Sequence, residues 1–109
     1  MNRRLGLAAA LLALLAPWPA AAQGRGMVPV QGQLLSRNRG PVPGVTVVLV
    51  HSVLGRSTAA TTDAYGRFGW NAIPVRPEPY FLEMYWGQKL IFRDQVLVRE
   101  PVVLQPIVL

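Results

Sequence analysis

The sequence predicts an all-β domain, a seven-stranded sandwich or small barrel, behind a short export signal, and three observations carry that reading. After residue 22 apolar residues fall on alternate positions, the periodicity of a half-buried strand. Turn-forming Gly, Pro, Asn and Asp punctuate these runs at intervals of about ten residues, as they do in sandwiches. No stretch beyond residue 22 holds a 3.6-residue apolar period for longer than a turn.

The export signal comes first. Arg3 and Arg4 precede an unbroken apolar run from Leu5 to Ala16, followed by Pro17-Trp18-Pro19 and Ala20-Ala21-Ala22. This is the charged, apolar and small-residue order of a cleavable signal peptide. A membrane-spanning helix needs about 20 apolar residues, and two prolines end this run well short of that. The expected cut lies between Ala22 and Gln23, which makes residues 1–22 the signal and residues 23–109 one domain. No cysteine follows the apolar run, so a thioether lipid anchor is chemically excluded, and the expected location is a bacterial periplasm or the medium outside.

The strands follow in order. Val28, Val30 and Leu34 alternate with polar neighbours between Met27 and Ser36. Pro29 has no amide hydrogen for a ladder, which places this first strand at a sheet edge or turns its amide side to solvent. Arg37 to Gly44 is a polar turn followed by a stiff, proline-containing approach. Val45 to His51 is nearly all apolar, as expected of a central strand or one at a tight corner. Arg56 to Thr62 reads as a more polar strand. Asp63-Ala64-Tyr65-Gly66 is a hairpin turn: an Asp side chain at the first position accepts backbone N–H groups, and Gly takes the left-handed conformation. Phe68 and Trp70 share one face of the next strand. Tyr80, Leu82, Met84 and Trp86 alternate with Phe81, Glu83 and Tyr85, so Trp70, Tyr80 and Trp86 are expected to fill the core. Leu90 to Phe92, Val96 to Val98 and Val102 to Leu109 close the chain, with Pro106 marking the last strand as an edge.

The expected mature domain contains no cysteine and so no disulfide. Its stability rests on burial, and its aliphatic residues are core first and ligand surface second. Nine Lys and Arg face five acidic residues in residues 23–109, without a run or a basic–aromatic interleave. That spread is a solvated surface rather than a nucleic-acid footprint, and no nucleic-acid partner is expected.

Five segments, in order, resemble the carboxypeptidase regulatory-like domains, a family whose fold is similar to prealbumin and to the B-type repeats of collagen adhesins. They are Val30 to Leu34, Gly40 to Val47, Thr61 to Phe68, Pro79 to Leu82 and Val103 to Leu109. The resemblance implies a seven-stranded Greek-key sandwich acting as an accessory module beside enzymes, adhesins or transporters. It implies a partner that is another envelope or secreted protein.

The chemistry-bearing residues are few. His51 is the only histidine, and it cannot build a closed zinc site without cysteines or a carboxylate cluster. Neighbouring strand residues point to opposite faces, so His51 and Ser52 cannot pair as base and nucleophile beside Asp63. No catalytic residue, metal or cofactor is expected, and the chain is not expected to be an enzyme. Asp63 and Gly66 are expected to be structural: Gly66→Ala should cost roughly 1–2 kcal/mol and Asp63→Ala about 1 kcal/mol. The candidate ligand patch joins Tyr65 and Arg67 to Tyr85 and Arg93. If that patch is flat and open, the alternative to a protein-binding module is one that stacks aromatic rings on a glycan.

Overall fold

The computed structural model describes residues 26–109; the expected signal segment and its cut between Ala22 and Gln23 lie outside them. Ten strand segments form two sheets: β1 (Met27–Ser36), β2 (Gly40–Pro41), β3 (Thr46–His51), β4 (Gly55–Arg56), β5 (Ala60–Thr61), β6 (Arg67–Pro74), β7 (Tyr80–Trp86), β8 (Lys89–Val96), β9 (Val102–Val103) and β10 (Ile107–Val108). In the first sheet β1 is central. β6 and the short β2 run antiparallel to it, and β9 and β10 run parallel to it on its other side. In the second sheet β4 and β5 lie along one side of β3, β7 along the other, and β8 outside β7. Several segments are halves of one interrupted strand: β4 with β5, β9 with β10, and β2 prolonging the row of β6. The ten segments therefore occupy seven rows, and the fold is an all-β sandwich. Among the described residues no helix is long and apolar enough to cross a membrane.

The interruptions have local causes. Between β4 and β5 the Ser57 hydroxyl accepts the Leu49 amide hydrogen, and just past β5 the Thr62 hydroxyl accepts that of Val45. Side chains there replace ladder bonds, so the buried amides of Leu49 and Val45 on the facing row are satisfied although the pairing is broken.

Inward-facing residues of the two sheets build the core. Val30, Leu34, Phe68, Trp70 and Ile73 of the first sheet meet Val47, Leu49, Tyr80, Leu82 and Met84 of the second. Each such side chain stabilises the fold by about 1.5–3 kcal/mol through burial. Gly32 shares the inward face of β1 because the Phe68 ring occupies the place of its missing side chain; a Cβ there would lie 2.6 Å from that ring. At the start of β7 the buried Tyr80 hydroxyl donates to the Pro74 carbonyl across the β6–β7 connection. This ties a strand of one sheet to the end of a strand in the other, as tyrosine corners do in Greek-key sandwiches.

Three expectations are corrected. β1 is a central strand, not an edge: the register shifts between Val28 and Val30, and Pro29 sits in that irregularity, where no ladder donor is required. The turn at Asp63–Gly66 does not join two strands of one hairpin ladder. β5 before it pairs with β3, and β6 after it pairs with β1, so the turn carries the chain from one sheet to the other. Trp86 is 59 % exposed. It continues the alternation of β7 past the end of the sandwich, where no opposite sheet remains to cover it.

Candidate binding surfaces

The outer face of the second sheet carries a connected set of charged and aromatic groups. Phe81, Glu83 and Tyr85 are the residues of β7 that alternate with core Leu82 and Met84, and Glu83 lies opposite Arg93 in the register with β8. The Glu83 side chain is only 13 % exposed. One of its carboxylate oxygens accepts the Tyr85 hydroxyl at 2.6 Å and lies 3.6 Å from Arg56; the other accepts Arg93 Nε at 3.2 Å. Arg93 lies over the Phe81 ring at 4.1 Å and Arg56 over the Tyr85 ring at 5.9 Å. Two guanidiniums are thus held by one carboxylate and two rings, with about half of each arginine side chain still open to solvent.

The remaining half of the expected patch lies elsewhere. Arg67 alternates with core Phe68 on β6 and is opposite Gln33, so it points outward from the first sheet. Its guanidinium lies 5.4 Å from the ring centre of Tyr65, which is 64 % exposed. Tyr65–Arg67 and Tyr85–Arg93 are two pairs on opposite sides of the sandwich rather than one patch. Glu83, Arg56 and Phe81, which complete the second pair, were not singled out by the sequence. Their meeting depends on the registers of β3, β4, β7 and β8, and β8 contains a bulge that sets Tyr85 opposite Leu90 while Met84 stays opposite Phe92.

The turn residues are bound tightly. Asp63 Oδ1 accepts the Tyr65 and Arg67 amide hydrogens at 2.8 and 2.9 Å, and Gly66 has φ of 75°. The Gly66 carbonyl in turn accepts the Leu34 amide hydrogen. That contact leaves no room at the glycine, where a Cβ would come within 2.2 Å of the Leu34 oxygen.

At the other end of the sandwich His51 is buried against Tyr80, ring centres 4.8 Å apart. Its Nδ1 accepts the Val53 and Leu54 amide hydrogens, which fixes the tautomer: Nε2 carries the proton and donates to Glu78 at 3.1 Å. Glu78 also accepts Arg76 Nε. A backbone hydrogen bond at Glu78 holds its carboxyl below the usual carboxylate range; partial burial opposes this and Arg76 assists it. Burial pushes the Tyr80 phenol up to about 12. Among the described residues no three His, Cys, Asp or Glu side chains converge, so a metal centre built from those donors does not fit here.

An open groove of about 410 Å³ follows the seam between β8 and the C-terminal strands, lined by Leu82, Phe92, Val96, Leu104 and Ile107 among others.

No family model matches the sequence, and no curated protein matches it. Solved structures share the fold, and two of them are dioxygenases. One is the dioxygenase domain of a dioxygenase carbohydrate-binding protein fusion from the cellulolytic bacterium Streptomyces sp. SirexAA-E, 14 % identical over 85 % of this chain and 84 % of that one, with a TM-score of 0.60. The other is catechol 1,2-dioxygenase from Pseudomonas arvilla C-1, 18 % identical over 72 % of this chain, with a TM-score of 0.53. The match spans 37 % of that enzyme. These likenesses correct the expectation that the chain is not an enzyme. That expectation rested on the small inventory of nucleophiles and metal ligands and on a fold associated with accessory modules, and the same sandwich is a fold of dioxygenases. At these identities the likeness concerns the fold alone.

Proposed function

We propose that the chain is an exported β-sandwich binding module of a bacterial envelope, and that it docks an acidic patch of a partner protein on the outer face of its second sheet. The observation that carries this reading is the Arg56–Glu83–Tyr85–Arg93 network. Arginine and tyrosine are the residue types on which interface energy concentrates, and groups held in place before binding lose less entropy on docking. Glu83 uses only part of each guanidinium, and the remaining donors face solvent as a fork for carboxylates. Export is supported by the Arg3 to Ala22 segment, and the accessory role by the resemblance to carboxypeptidase regulatory-like domains.

The glycan alternative is weaker at this face. Sugar stacking requires an open ring face, and guanidiniums lie over Phe81 and Tyr85. The neighbour whose description mentions carbohydrate binding is matched through its dioxygenase domain.

A photo-crosslinking residue at position 95, beside Phe81 in the register, tests the reading in cells. The same residue at position 71, exposed on β6 of the other sheet, is the control. A protein adduct of defined mass from position 95, lost in the Tyr85→Ala/Arg93→Ala double variant, is the expected result. Adducts from position 71 only, or adducts indifferent to the double variant, would refute it. Retention of the purified protein on a polysaccharide column, abolished by the same double variant, would assign the face to sugars instead.

A further inference from the structure

A surface separate from that face is assembled by the topology at one end of the sandwich. The chain reaches this end four times. The β1–β2 turn brings Arg37 and Arg39, the Asp63–Gly66 crossing brings Tyr65 and Arg67, the β7–β8 hairpin brings Trp86 and Lys89, and the last residues bring Val108 and Leu109. Contacts join them into one surface. Gly44 lies beneath Trp86 and donates to the Thr62 carbonyl; Gly66 lies against Leu34 and Val42; Leu109 exchanges backbone hydrogen bonds with Leu35 and Arg37. Four of the eight Lys and Arg residues among the described residues therefore sit at this end, and all four are exposed. Asp63 is the one acidic side chain within these segments, and its Oδ1 accepts two backbone amides.

The same end exposes apolar area: Tyr65 is 64 % exposed, Trp86 59 %, Val108 49 % and Leu109 44 %. At the opposite end the charges balance, Arg76 and Arg99 against Glu78 and Glu100. Exposed Trp and Tyr, interspersed with Lys and Arg and accompanied by aliphatic side chains, match the headgroup region of a bilayer. There the rings occupy the polar–apolar boundary and the cations meet lipid phosphates. An anionic polysaccharide would satisfy the cations but offers nothing to Val108 and Leu109.

We infer that this end is a peripheral membrane-docking surface for anionic lipid bilayers, with Trp86 and Tyr65 at the interface and Arg37, Arg39, Arg67 and Lys89 facing the headgroups. It is independent of the partner-protein site on the second sheet.

Flotation of the protein recovered from the envelope, with vesicles of phosphatidylcholine alone or mixed with phosphatidylglycerol, tests it. Binding should appear with the anionic vesicles and fall roughly tenfold or more in Arg37→Glu/Arg39→Glu, since each cation near such a surface contributes about 1 kcal/mol. Arg99→Glu, at the far end, should bind as the parent does. The fluorescence difference between the parent and Trp86→Phe should shift to the blue on binding, which reports that ring leaving water. Equal binding to neutral and anionic vesicles, no effect of the arginine reversals, or a Trp86 signal unmoved by vesicles would overturn the inference. So would retention on heparin without vesicle binding, which would make the surface a polyanion site.

Discussion

The two ends of the sandwich solve the same local problem with different atoms. At one, Asp63 Oδ1 gathers the amides of Tyr65 and Arg67; at the other, His51 Nδ1 gathers those of Val53 and Leu54. In each case one side-chain acceptor closes a turn by taking two amide hydrogens. The surroundings differ. Asp63 is exposed, so water can replace it, whereas His51 is 2 % exposed, packs on Tyr80 and also binds Glu78. A capping acceptor is worth what its loss leaves unsatisfied, so burial rather than the bond itself sets its weight.

The largest effect expected lies beside the exposed cap. Gly66→Ala should destabilise by about 4 kcal/mol, more than the left-handed conformation alone requires, because the added carbon meets the Leu34 carbonyl as well. Chemical denaturation gives the value; a loss near 1 kcal/mol would show that β1 yields to the turn. Next, His51→Ala should cost about 3 kcal/mol through two stranded amides and a lost ring contact. Asp63→Ala should cost about 1 kcal/mol. Measured side by side, equal losses would break the comparison between buried and exposed caps.

Acid and base sharpen it further. The Glu78 carboxyl is depressed in the fold, so its contribution is present above the ordinary carboxylate value of 4.5 and is lost as pH falls through the lower folded value. The Tyr80 phenol is raised to about 12 from 10, so its contribution is complete below pH 10 and is lost as pH rises from there toward 12. Melting temperatures across both ranges should fall at each extreme. Glu78→Gln should flatten the acid limb and leave the alkaline limb in place.

What could be read in advance follows the range of the physics involved. Alternation in Tyr80–Met84 is a property of neighbouring residues and of one sheet face, and it placed three core side chains. It failed at Trp86 because periodicity does not record where the opposing sheet stops. The signals for Asp63 and Gly66 are equally local, but where the chain goes after a turn is not, and there the hairpin expectation gave way to a crossing. Pro29 was read through its missing donor; a bulge met that need as well as an edge would have. The Glu83 network was hidden most deeply. It joins residues of β4, β7 and β8 whose proximity depends on three registers and one bulge, and its acid carries no local mark that separates it from any other exposed-face glutamate.

The crossings between sheets have a consequence in time. The chain changes sheet between β2 and β3, β5 and β6, β6 and β7, and β8 and β9, and β1 cannot complete its ladders until β9 and β10 arrive from the far end of the sequence. Long loops must close before those contacts stabilise anything, which places folding in the millisecond-to-second range typical of all-β domains rather than the microseconds of helical bundles. The first strand of the fold therefore waits for partners that lie beyond every other strand in the sequence.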